Sequence, residues 1–234
     1  MSQGEYRKGR VCVTGKRSDQ VSKPDSRPLQ KRALEKRRRI VSALGRMLKT
    51  MKFDDVTMPA LAREAGVAVG TIYQRFENRD ALVPVIFELY EERLLDFMES
   101  EGRVEIDPAA GLRVAIDQIV KAAWAFIETD GHLLRATMMF ARQRPDLIGD
   151  HWDGFIEQAR QSARQLTALF PDEVAIREPN RAAAFLAYQL NLLPMEYGLF
   201  REDGVGALYT FGDAAFLKDV SRAIYAYLTT TLDG

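Results

Sequence analysis

From Thr57 to Phe76 the chain reads TMPALAREAGVAVGTIYQRF, and the punctuation of this stretch leaves few folds open. Thr57 is a favoured helix N-cap, and Pro59 is acceptable in a first helical turn. Met58, Leu61, Ala62 and Ala65 then fall at i, i+3, i+4 and i+7, one apolar face of a two-turn helix. Gly66 supplies the left-handed conformation that closes a helix. A second apolar set, Val67, Ile72 and Phe76, follows almost at once. Two short helices joined by a tight glycine-containing turn make a helix-turn-helix. Gly70 is the unexpected letter, because it stands in the first turn of the second helix at a cost of about 1 kcal/mol relative to alanine. A bare backbone there suits the close approach of another molecule.

The charge distribution says which kind of molecule. The 234 residues carry no net charge overall, yet Met1 to Arg79 hold 19 Lys and Arg against 8 Asp and Glu, a balance of +11. The remainder holds 14 against 25, or −11. A basic module for a polyanion joined to an acidic body is the reading this favours over two unrelated solvated faces. The helix before the motif, from Leu29 on, carries Ala33, Ile40, Leu44, Leu48 and Met51 on one stripe, with Lys36 to Arg39 on or beside the opposite face. Residues 1–28 lack apolar periodicity and read as a disordered basic arm, 29–79 as the DNA-binding domain, and 80–234 as a helical body.

In a recognition helix set into a DNA major groove, Gly70 allows the backbone close, while Val69, Thr71, Tyr73, Gln74 and Arg75 lie largely on the outward side. Thr71 offers a hydroxyl and a methyl to a base edge or phosphate, and Gln74 has the amide geometry for a two-point contact with adenine. Tyr73 and Arg75 suit phosphates. Thr57 and Arg79, each at a helix N-terminus, combine a side-chain donor with backbone N–H groups for the same purpose.

The block VTMPALAREAGVAVGTIYQRFENRDAL, Val56 to Leu82, resembles the DNA-binding signature of the TetR family of transcriptional regulators through Thr57, Ala62, Ala65, Gly66, Val67, Gly70, Thr71, Tyr73, Phe76 and Leu82. Arg79 stands where that family commonly has a phosphate-contacting lysine. Arg75 replaces a frequent histidine, Ala68 a frequent serine, and Asn78-Arg79-Asp80 the usual Ser-Lys-Glu. The close resemblance runs from Leu34 to Tyr90. It implies an all-α subunit of about nine helices, three for DNA and about six for ligand binding and dimerisation. It also implies a homodimer paired through the last two helices as a four-helix bundle, and therefore double-stranded DNA bearing an inverted-repeat operator. A ligand that tilts the fourth helix would change the separation of the two recognition helices.

The rest of the chain is helical in pattern throughout. Asn78 can cap a fourth helix through Leu82, Ile86, Leu89, Leu94 and Phe97, which Pro84 is expected to kink near its start. Leu112 to Phe126 marks a fifth helix, Leu133 to Ala141 a short sixth bounded by Gly131 and Pro145, and Trp152 to Phe170 a seventh. The eighth, about 180–200, is apolar nearly all round, is expected to kink at Pro194, and needs partners on two sides. Phe216, Leu217, Val220, Ile224, Tyr227 and Leu228 stripe the ninth.

Aromatic and sulfur residues are dense from Trp124 to Phe155, and Trp124, Met138, Met139, Trp152 and Phe155 are candidates to line a pocket for an apolar or aromatic small-molecule effector, with Tyr188 as a further candidate. The alternative for all of them is plain core. His132 and His151 have no partner at metal-site spacing, no phosphate-binding glycine loop follows a strand, and no nucleophile and base are paired, so the expectation is no metal, no cofactor and no catalytic site. Glu88, Glu91 and Glu92 read as a solvated helix face. The lone Cys12 forms no intrachain disulfide. No apolar run is long enough to span a bilayer, and the N-terminus lacks the apolar block of a secretory signal, which points to a cytoplasmic protein without a membrane partner. Two functions remain open: an effector-responsive regulator, more often a repressor in the family, and a constitutive architectural DNA binder.

Overall fold

The computed structural model describes residues 27–202 and 204–231, so the basic arm and Cys12 lie almost wholly outside the described residues. Among them the chain is all-α: α1 (Arg27–Leu48), α2 (Met58–Ala65), α3 (Val69–Tyr73), α4 (Val83–Glu99), α5 (Leu112–Gln143), α6 (His151–Ala168), α7 (Pro179–Phe200) and α8 (Asp213–Thr229), with short 3-10 turns between several of them. Among the described residues no helix is long and apolar enough to cross a membrane.

The N-terminal helices follow from their punctuation. The Thr57 side chain accepts a hydrogen bond from the Ala60 amide at 3.2 Å and so satisfies one orphan donor of α2. Gly66, at φ 61° and ψ 43°, ends that helix, and the Val67 amide turns back to the Ala62 carbonyl at 2.9 Å. Ile40, Leu44, Leu61 and Ile72 are fully buried where α1, α2 and α3 meet. Asn78 accepts from the Ala81 amide at 3.0 Å and caps the 3-10 turn Asp80–Leu82 that leads into α4.

Two elements differ from what the residues alone suggest. Pro84 lies in the first turn of α4, where its missing N–H has no partner to lose, so it opens that helix instead of kinking it. The expected fifth and sixth helices are one 32-residue helix, α5, with its only non-helical backbone at Asp130 (φ −124°, ψ 15°). The count among the described residues is therefore eight α-helices, not nine. Gly131 is a packing glycine here and not a terminator: a Cβ on it would lie 2.9 Å from Leu199 Cδ2 of α7. Pro194 sits inside α7, which is continuous from Pro179 to Phe200.

Side chains from distant segments fix the body. The N-terminus of α5 has no side-chain cap of its own, and Glu173 supplies one by accepting from the Leu112 amide at 2.8 Å. The Ala175 amide donates to the Leu228 carbonyl at 2.8 Å and ties the segment after α6 to the end of α8. Arg93 of α4 forks onto Asp130 at the break in α5, with its closest N···O contact at 2.8 Å, and the carboxylate is buried. Below it, Arg144 donates to Asp80 at 2.8 Å, and the rings of Phe53 and Phe140 meet edge to face at 4.9 Å. An ion pair and an aromatic contact thus join the head to α5, beside direct packing of α1 on α5.

Candidate nucleic-acid interface and apolar cavity

The second helix of the helix-turn-helix presents two chemically different faces. Ile72 and Phe76 are buried in the head, whereas Gly70, Gln74 and Arg75 are exposed, Val69 is 40% exposed and Tyr73 is 51% exposed. Thr71 is half-buried at the margin. This is the division that the residue pattern suggests, and it puts an amide, a guanidinium, a phenol and a bare backbone on one short surface.

Gly70 carries the most information. A Cβ built on it would meet nothing within 4 Å, and its φ is not positive, so neither packing nor backbone conformation of this chain requires a glycine. Gly66 is the contrast: its positive φ favours glycine, and a Cβ there would come 2.6 Å from the Arg39 guanidinium. The space over Gly70 is outside the protein. A glycine maintained in a first helical turn against its intrinsic cost, facing only solvent, fits the close approach of a partner backbone.

The basic residues around this surface divide into fasteners and exposed charges. Arg39 Nη2 donates to the Gly66 carbonyl at 2.7 Å and pins α1 to the turn. Arg46 bonds Glu64 at 2.8 Å, and Arg37 pairs with Glu88 of α4. Lys36 and Arg38 stay exposed on α1. Arg79 donates to the Asp54 carbonyl at 2.7 Å with its guanidinium 5.4 Å from the Phe53 ring centre, so it braces the 3-10 turn at Phe53–Asp55 while remaining 40% exposed. Glu88, read from the sequence as merely solvated, is the partner of Arg37, and Glu91 meets His151 Nδ1 at 3.1 Å.

A cavity of about 580 Å³ lies in the body between α4, α5, α6 and α7. Its inner wall is apolar and buried, formed by Phe97 from α4, Phe126 and Leu134 from α5, and Ala163 and Leu166 from α6. Tyr90 also lines it, and burial pushes its phenol above the ordinary range, which keeps the hydroxyl neutral. Volume and lining are those of a small-molecule site.

Of the pocket candidates drawn from the sequence, Phe155 lines this cavity, and Trp152 stacks behind it with ring centres 5.2 Å apart. Trp124 is buried on the other side of α5, against Tyr197 and Phe216. Met138 is buried outside the cavity, Met139 is 37% exposed, and Tyr188 is 59% exposed on α7. The lining residues of α4 were missed because Tyr90, Leu94 and Phe97 read as ordinary core. Their one signal is an apolar stripe at i, i+4 and i+7 that continues beyond the reach of the head. His132 is half-buried, and desolvation lowers its pKa, so it is neutral at pH 7. Among the described residues no group of three acidic, His or Cys side chains is placed to hold a metal.

Known proteins share both the sequence of the head and the overall fold. The family model for bacterial regulatory proteins of the tetR family matches residues 40–86. The HTH-type transcriptional regulator HbdR of Aromatoleum sp. (strain CIB) is 29% identical over 116 residues, 50% of this chain, and the match spans 48% of that relative. The TetR transcription regulator from Haloarcula marismortui ATCC 43049 superposes with a TM-score of 0.60 at 14% identity, covering 83% of this chain and 96% of that one. For Salmonella enterica GusR the TM-score is 0.57 at 18% identity, over 84% and 97% of the two chains. At these identities the solved structures establish the fold, and the matched head establishes the DNA-binding module.

Proposed function

Because the chain belongs to the TetR family of bacterial transcriptional regulators, which are DNA-binding proteins and not enzymes, we propose that it works as a homodimeric repressor released by an apolar small-molecule effector. The observation that carries the DNA half of this reading is Gly70, where among the described residues an added Cβ would meet nothing within 4 Å. In the proposed complex α3 enters the major groove, Gln74 and Thr71 read base edges, and Tyr73, Arg75, Thr57 and Arg79 hold phosphates.

The dimer rests on a different face. Phe185 and Tyr188 of α7 are 40% and 59% exposed, their rings 6.3 Å apart, and Phe185 packs against Tyr227 of α8 at 4.3 Å. Ala184, Ala223 and Ala226 lie exposed beside them. Small and aromatic side chains together on two antiparallel helices suit pairing with a second copy, which would set two α3 helices on successive major grooves of an inverted repeat. The cavity supports the effector, since α4 runs from its wall to the head.

Selection of bound sequences from a random DNA pool at two salt concentrations tests the proposal. An inverted repeat of fixed spacing is the expected outcome, and unstructured, strongly salt-sensitive binding would favour an architectural role instead. Two substitutions separate the roles of individual residues on the selected site. Gln74→Ala should relax preference at one base position, at about 1–3 kcal/mol for the favoured base, in competition binding assays. Arg79→Ala should weaken binding to all sequences and lower the salt slope by about one per subunit. Unchanged binding in both proteins would show that α3 is not the reading element.

A further inference from the structure

The body from Asp80 onward holds 25 Asp and Glu against 14 Lys and Arg, yet among the described residues no carboxylate lines the cavity. Among the described residues its one charged lining residue is Arg103, in the segment between α4 and α5. The other polar lining groups are Gln158, Ser162 and Gln165 of α6, the half-buried Asn191 of α7 and the Tyr90 phenol. The three α6 groups are exposed, whereas Phe97, Phe126 and Leu134 are buried and apolar. The cavity therefore has a mainly apolar buried lining, and its guanidinium, α6 amides and hydroxyl are on the exposed part of the lining.

Resting on the effector reading above, we infer that the ligand is an amphipathic acid, its acyl or aryl body in the interior and its carboxylate on Arg103. Arg103 is 67% exposed and its present partner, Glu105 at 3.1 Å, is 80% exposed. Exposed pairs of this kind hold their geometry weakly, so an incoming carboxylate can displace Glu105 and keep the cation satisfied. The guanidinium fork suits a carboxylate. A cationic ligand would meet Arg103 with no lining carboxylate to offset it, and an alcohol would forgo the charge-assisted bonds.

The test uses matched probes that differ only at the polar end: 6-phenylhexanoate, 6-phenylhexan-1-ol and 6-phenylhexylamine, titrated calorimetrically into the full chain. The acid should bind about fivefold tighter than the alcohol, and the amine weakest. Arg103→Gln, an exposed change, should bring acid and alcohol level, and Ala123→Trp, which fills the interior, should abolish binding of all three. An amine that binds as well as the acid, or an acid advantage that survives Arg103→Gln, overturns the inference about charge and leaves the cavity as an effector site. Binding unaffected by Ala123→Trp, or no binding of any probe, overturns the cavity reading and this inference with it.

Discussion

A Gly70→Ala protein is expected to be as stable as the parent or more so, and to lose at least about tenfold in affinity for its operator. The two halves of that result come from one observation. Among the described residues no neighbouring segment lies within 4 Å of the added methyl, and the backbone at residue 70 does not have the positive φ that penalises a side chain. Alanine there removes a helix-weakening residue, worth up to about 1 kcal/mol of folding stability. The methyl points instead into the space a DNA backbone or base edge would occupy, twice per dimer. Urea unfolding and gel-shift titration on the same preparations give both numbers. A stable variant that binds as tightly as the parent would place the DNA elsewhere, and an unfolded one would mean that the glycine serves the protein after all. Gly66→Ala is the useful companion: its φ of 61° and the nearby Arg39 guanidinium predict a loss of stability that Gly70→Ala does not show.

That contrast also explains which parts of the molecule could be read from the residues. The head is legible because its signals are local. Thr57 caps the helix it begins, Gly66 closes it, and Ile72 and Phe76 show their inward face by spacing alone. The body obeys contacts that spacing does not contain. Asp130 and Gly131 look like a helix boundary, but Arg93, 37 residues earlier, anchors the carboxylate, and Leu199 packs where the missing side chain would be. The cavity was obscured for the same reason. A run rich in Trp, Met and Phe says that bulk is buried, not on which side of α5. Trp124 goes to the α7 and α8 side because Gly198 leaves room for its ring, with a would-be Cβ only 3.0 Å from it. The interior that remains open is walled by α4, whose aromatic stripe has no composition to distinguish it from core. Arg103 sits in a connecting segment, where an isolated arginine carries no periodic signal at all.

The second large effect concerns the tie between α4 and α5. Arg93→Ala is expected to cost about 3 kcal/mol of stability, because it leaves the Asp130 carboxylate buried without its guanidinium. The cost comes mainly from the stranded charge and not from the value of the pair, since Arg93 itself is 44% exposed on its side chain. Arg93→Ala/Asp130→Asn should therefore recover more than half of the loss, although it restores no contact, and Asn retains the short polar side chain that suits the non-helical backbone at residue 130. Urea midpoints of the two single variants and the double variant complete the cycle. A double variant no more stable than Arg93→Ala alone would show that the arginine acts by packing along α4 instead. The position gives the result a bearing on regulation. Arg93 lies between Tyr90 and Phe97 on α4, and Asp130 lies between Ile127 and Leu134 on α5, four residues that line the cavity. A ligand that spreads the two helices works against this ion pair before it moves the head. In the proposed effector response, with Asp80–Arg144 and Phe53–Phe140 among the contacts joining the head to α5, loosening the tie should change how far α4 can tilt without altering any of the residues proposed to face DNA.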